Sequence, residues 1–148
     1  MEINPFTDEF FMKEALKEAT KASKLDEVPI GAVVVCENQI IARAHNYTET
    51  LNDVTAHAEM LAFTSASDFL GGKYLDDCIL YVTLEPCTMC AGASYWTRIK
   101  KIVFGAHDKK RGFLHLNEQI IHPKSEIVAG VLEKECSKLL KDFFQKKR

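Results

Sequence analysis

"CILYVTLEPCTMCAGASYW" (78–96) decides the fold. Its first seven residues, 78–84, form an unbroken apolar run, which predicts a strand covered on both faces. Pro86 follows after one acid, and a proline suits a helix start because its missing N–H is not needed there. Residues 87–96 are therefore predicted to be a short helix. A buried strand leading directly into a helix is half of a layered α/β unit.

The flanking sequence supplies the other layers. "TDEFFMKEALKEATKAS" (7–23) predicts a helix with Thr7 as N-cap and Phe10, Phe11, Ala15, Leu16 and Ala19 on one face. "VPIGAVVVC" and "QIIARAHN" are β-branched runs separated at "ENQ", a hairpin signal. "TAHAEMLAFTSASDFL" (55–70) has helical spacing and ends at a Gly-Gly pair. "KKIVFGA" (100–106) is the next strand, and "EIVAGV" is ambiguous. "LEKECSKLLKDFFQKK" is a helix that places Leu132, Cys136, Leu139, Leu140 and Phe143 inward. The order implies a mixed sheet with helices on both faces and a single domain over 1–148, with no repeat or linker.

Composition excludes several classes. Apolar residues are 47% and charged residues 27%, an ordinary globular balance. No apolar run is long enough to span a bilayer, and the N-terminus does not read as a signal peptide, so a cytoplasmic protein is expected. Five cysteines without framework spacing point to metal or thiol chemistry rather than a disulfide scaffold. Charge is unevenly spread. Residues 1–90 carry 6 Lys+Arg against 15 Asp+Glu, and residues 91–148 carry 13 against 6, within a net charge of −2. The last third is thus a candidate surface for a polyanion.

Cys87 and Cys90 form a C-x-x-C pair, which alone could be a redox pair or half of a structural zinc site. No second pair exists to complete four ligands. Cys36, Cys78 and Cys136 each sit in apolar runs and read as small core residues. Adding His57 gives three donors, and three protein ligands with one open position is the arrangement of a catalytic zinc. Glu59 is the nearest acid in sequence to a ligand and the candidate base; Glu85 is a rival that reads as a structural residue. His57 and Glu59 are two residues apart, which in mid-helix would point them apart. At a helix start both can reach a point above the open end. Two helix N-termini would then meet at the metal, where their positive ends favour thiolates. Ala56 and Ala58 are small enough to leave room for a substrate, and Ala58 is counted in its site.

H-x-E combined with P-C-x-x-C is the signature of zinc nucleobase deaminases. "VPIGAVVV", "NDVTAHAEM", "LYVTLEPCTMCAGA", "IVFGAHD" and "KLLKDFF" together resemble the bacterial tRNA-specific adenosine deaminases, in the cytidine deaminase-like superfamily, nearly end to end. The resemblance implies a three-layer α/β/α fold with a five-stranded mixed sheet, and a homodimer. It implies one Zn2+ per subunit on His57, Cys87 and Cys90, with Glu59 as proton shuttle. Asn46 matches a base-binding asparagine, Asp108 an acid near the ribose, and Val28, Pro29 and Ile30 a pocket wall. The implied reaction converts adenosine to inosine at the wobble position of a tRNA anticodon, tRNA-arginine first. A free-base or nucleoside deaminase acting on guanine or cytosine is the alternative, and a non-catalytic zinc-stabilised RNA-binding subunit is a third reading.

One segment departs from the family. After "IVFGAHD" small residues are expected, but here "KKRGFLHLNEQ" brings Phe113, Leu114 and His115, which puts loop contacts with RNA in question. Phe144, beside "QKKR", has two open readings: a core residue, or a ring that stacks on an RNA base.

Overall fold

A computed structural model of the chain describes residues 6–116 and 118–147. Residues 1–5, Asn117 and Arg148 lie outside the described residues, and with them part of the expected 1–148 domain, of the atypical 109–117 loop and of the basic tail. The elements run α1 (Asp8–Lys24), β1 (Gly31–Cys36), β2 (Gln39–His45), α2 (Thr48–Leu51), α3 (Ala58–Leu70), β3 (Cys78–Leu84), α4 (Thr88–Thr97), β4 (Lys101–Ala106), α5 (Phe113–Leu116), a 3-10 turn (Glu118–Ile120), β5 (Glu126–Val128) and α6 (Glu133–Lys146).

The five strands are ordered β2-β1-β3-β4-β5. The β2–β1 and β1–β3 pairs are antiparallel, and the β3–β4 and β4–β5 pairs are parallel. The expected mixed sheet is therefore present, with β3 at its centre. Alternate residues of β3 face opposite layers, as strand geometry requires. Leu80 and Val82 join Ala62, Phe63 and Ala91 from α3 and α4, whereas Tyr81 joins Phe11, Met12 and Ala15 from α1 and Cys136 from α6. The ambiguous segment at 126 pairs through Glu126, Ile127 and Val128 with β4.

Local chemistry explains the elements. The Thr7 hydroxyl accepts the Phe10 N–H at 3.1 Å, and Asp8 and Glu9 occupy the positive end of α1. The β1–β2 hairpin turns on Glu37 and Asn38, both with positive φ (52° and 63°), as a tight hairpin turn demands. At Gly31 a Cβ would collide with the α1 backbone at the Ala15 carbonyl and the Ala19 nitrogen, so the helix rests directly on the strand. Gly31→Ala is expected to lower stability by about 2–3 kcal/mol through overpacking. Urea unfolding should show a lower midpoint at unchanged slope; an unchanged midpoint would mean α1 shifts freely.

Three expectations on the helices are corrected. The third helix begins at Ala58, not residue 55, because Asp53 holds the preceding chain in a turn: its carboxylate accepts the Thr55 N–H and hydroxyl at 2.9 and 2.7 Å. In α1, Phe10 is exposed, and Met12, Glu18 and Ala22 are buried on the inner face instead. In α6 only Cys136 is fully buried; Leu132, Leu139, Leu140 and Phe143 are half-buried. The close approach of α6 to the sheet is at Gly105, where an added Cβ would strike the Cys136 sulfur.

Candidate active site

The starts of α3 and α4 meet at one point. His57 and Cys87 are the N-cap residues of these helices, both extended (φ −76°, ψ 152° and φ −73°, ψ 174°), and neither side chain caps its own helix. The side chains are used elsewhere. The Cys87 and Cys90 sulfurs lie 3.7 and 3.6 Å from His57 Nδ1, and the three donor atoms fall within 4.8 Å of one another. A tetrahedral zinc with Zn–S of about 2.3 Å and Zn–N of about 2.0–2.1 Å would separate nitrogen from sulfur by about 3.6 Å. The donor set therefore fits zinc by chemistry and by spacing. Among the described residues it gathers three ligands.

The electrostatics suit a cation. The Cys90 thiol donates to Cys87, and together with His57 this pulls the Cys87 thiol down to about 4. The same bond, with burial, pushes Cys90 up. His57 is raised, first by its hydrogen bond with Cys87. Glu59 is only 4% exposed, and burial pushes its carboxyl up to about 7. The i,i+2 spacing that opposes His57 and Glu59 on a regular helix does not apply, because His57 stands outside the helix and Glu59 in its first turn.

Asn46 supplies the missing cap of α3. Its Oδ1 accepts the Ala58 N–H at 2.8 Å, its own N–H donates to the Ile30 carbonyl, and it is 5% exposed. Ala58 is fully buried at the head of α3. Val28 and Ile30 are half-buried and Pro29 buried; Val28 faces a groove of about 470 Å³ shared with Leu25, Glu49, Thr50, Phe143 and Lys147, while Ile30 leans on the larger core.

Glu85 is a structural clamp. Its buried carboxylate accepts the Asp108 and Leu114 N–H groups at 3.1 and 3.0 Å and pairs with His107 at 3.4 Å. Gly112 pairs with Cys87 in an isolated bridge, and a Cβ there would collide with the Glu85 carboxylate. The loop carrying Asp108 is thus laid along the cysteine turn. Asp108 Oδ1 accepts the Lys110 and Arg111 N–H groups, both at 3.0 Å. The bulky Phe113 turns inward, fully buried and edge-on to Phe104, so it fills the core and leaves the loop surface to its neighbours.

Phe144 is 48% exposed, which removes its core reading. With Ala106, His107, Leu140 and Lys141 it lines a second groove of about 270 Å³. Phe143, expected among core leucines, instead packs edge-on to Phe144 at 5.4 Å and lines the groove at Val28. Sequence reasoning passed over Glu27, which is wholly buried and grips Thr48, Glu49 and Thr50. Its partners lie more than 20 residues away, and no local pattern signals such a bond.

Comparison with known proteins agrees with this geometry. The family model of MafB19-like deaminases matches residues 6–148. A tRNA-specific adenosine deaminase from Bacillus subtilis (strain 168) is 51% identical over 146 residues, covering 95% of this chain and 91% of its own. A structure solved in work on A-to-I editing by tRNA:A34 deaminases superposes with a TM-score of 0.82 at 43% identity, over 88% of this chain and 98% of that one. A guanine deaminase from Bacillus subtilis gives a TM-score of 0.66 at 44% identity, over 68% of this chain and 65% of that one.

Proposed function

Because the chain belongs to the MafB19-like deaminase family, we propose that its 148 residues act as one zinc-dependent deaminase domain that converts adenosine to inosine at the wobble position of a tRNA anticodon. The observation that carries the substrate is the near end-to-end match to a tRNA-specific adenosine deaminase, against a guanine deaminase match that covers 65% of that chain. The reaction consumes water and releases ammonia.

His57, Cys87 and Cys90 would hold one Zn2+, which when bound supplies an activated water for attack on C6 of adenine. Glu59 would take a proton from the attacking water and pass it to the ring nitrogen N1, then take the proton of the new C6 hydroxyl and pass it to the amino group, which leaves as ammonia. A carboxyl raised to about 7 both accepts and donates near neutral pH. Asn46 Oδ1 is engaged with Ala58, so Nδ2 is the atom left to donate to the base. Val28 and Ile30, both half-buried, would form the wall against the ring, with the buried Pro29 and Ala58 behind them. Asp108, whose Oδ1 fixes its own turn, meets the ribose through its other oxygen. The target base must be splayed from its loop to reach the site. Phe144 stacks on a flanking base, with Lys141 beside it for phosphate. A homodimer has apolar surface to bury in Trp96, which is 76% exposed, and Leu116. No helix of the described residues is long and apolar enough to cross a membrane. The proposed tRNA substrate puts the enzyme's work in the cytoplasm.

The test is inosine formation on an adenosine-containing tRNA-arginine anticodon stem-loop, with guanine, cytosine and cytidine in parallel. Inosine is expected at the first anticodon position. Binding should weaken steeply, by about 10³-fold or more between 50 and 200 mM salt if about six phosphates are contacted. Ammonia from guanine with none from the stem-loop would overturn the substrate and favour the free-base reading.

A further inference from the structure

Glu27 stands outside the donor cluster, yet it is a charged side chain with no exposed surface at all. Burial pushes its carboxyl up, but the bonds from Thr50, Glu49 and Thr48 outweigh that and hold it below the ordinary glutamate value. Oε2 accepts the Thr50 N–H at 2.6 Å and the Thr50 hydroxyl at 2.7 Å. Oε1 accepts the Glu49 N–H at 3.1 Å and the Thr48 hydroxyl at 3.4 Å. The Glu49 and Thr50 N–H groups are the unpaired backbone donors at the start of α2, and Tyr47, its N-cap residue, makes no side-chain cap. Glu27 caps that turn from a distance.

The capped turn has a particular place in the chain. It lies in an excursion from Tyr47 to Ala56, closed at its neck by the Tyr47 N–H on the Ala56 carbonyl at 3.0 Å. Asn46 immediately precedes the excursion, and His57 immediately follows it. Glu27 itself immediately precedes Val28, Pro29 and Ile30. Ile30 is in turn tied to Asn46 by the Asn46 N–H on its carbonyl at 3.1 Å. The carboxylate therefore fastens the outer end of the excursion to the root of the pocket wall. The two walls so joined, Val28 on one side and Glu49 and Thr50 on the other, share the groove that Phe143 and Lys147 close. Lys147 is itself tied to Asp26 at 2.5 Å, next to Glu27.

We infer that Glu27 is a positioning residue: it ties the 28–30 pocket wall to the excursion that joins Asn46 to His57, and through the placing of that wall it sets the affinity for the target base. It touches neither the base nor the metal donors and acts through Glu49 and Thr50. The assignment rests on the tRNA deaminase reading for the identity of the base, but the clamp itself does not.

The test uses Glu27→Gln, which keeps shape, loses the charge and turns one acceptor into a donor facing Thr50. Zinc per chain and kcat on the anticodon stem-loop should stay within about twofold of the parent while KM rises by about tenfold. A purely structural role would lower the active fraction and hence apparent kcat, with KM unchanged. That result would overturn the inference. Thr50→Val removes one donor to Glu27 and leaves the acid in place; a smaller rise in KM is expected, non-additive with Glu27→Gln. Hydrogen exchange provides a reading independent of activity. The Glu49 and Thr50 amides should exchange at least about tenfold faster in Glu27→Gln, with α3 unaffected. Unchanged protection would overturn the clamp. A parent enzyme inactive on the stem-loop but with protection lost in the variant would overturn the substrate reading and leave the clamp standing.

Discussion

Glu59→Ala is expected to retain one zinc per chain and to lose turnover by about a thousandfold or more, the upper range for removing a general acid–base group. Its carboxylate is not needed for the donor set, because His57, Cys87 and Cys90 already meet within 4.8 Å. The loss should fall on kcat, since the role proposed for Glu59 is to move protons rather than to hold the base. Folding should survive. Glu59 is an acid whose carboxyl is raised by burial, so alanine removes a costly buried polar group along with its bond to Cys90. Metal analysis and single-turnover inosine formation check both halves. Near-normal turnover would mean another base, and Glu85 is then the first to examine. The geometry speaks against that, because both Glu85 oxygens already accept backbone N–H groups.

Cys87→Ser is expected to lose stoichiometric zinc and, with it, all but background turnover. A hydroxyl is a poor zinc donor beside a thiolate, and two donors remain where three are needed to leave one open position. The loss is sharpened by the local charge, because Cys87 is the sulfur that the site pulls down to about 4. Metal affinity should also fall as pH drops and the remaining donors take up protons. Metal content after dialysis, followed by an attempt to restore turnover with excess zinc, measures it. Full retention of metal would show that Cys87 is not a ligand.

The order of elements was readable because period and length agree for most of them. The 78–84 run matches β3 residue for residue. The meeting of His57, Cys87 and Cys90 was readable because helix starts collect chemistry at known spacings. What failed did so for tertiary reasons. The turn at Asp53 shortens α3, and nothing in helical spacing reports a side chain that binds two residues ahead. The amphipathic face of α6 is only half covered, because Cys136 is its one fully buried residue against the sheet. Phe113 was one of the bulky residues that put the loop contacts with RNA in question, but it turns inward and packs edge-on to Phe104. Glu27 and Asn46 cap helices that begin 21 and 12 residues away, and such remote caps leave no local signature.

His57 and the cysteines, at separations of 30 and 33 residues, also fix an order of events during synthesis. When His57 leaves the ribosome, it is one imidazole on an unfinished chain and holds no metal ion for long. Cys87 and Cys90 follow, but they face His57 only after β3 has paired with β1 and the two helices have docked. The donor set is therefore completed late and reports a finished sheet, and a truncated or misfolded chain never assembles it.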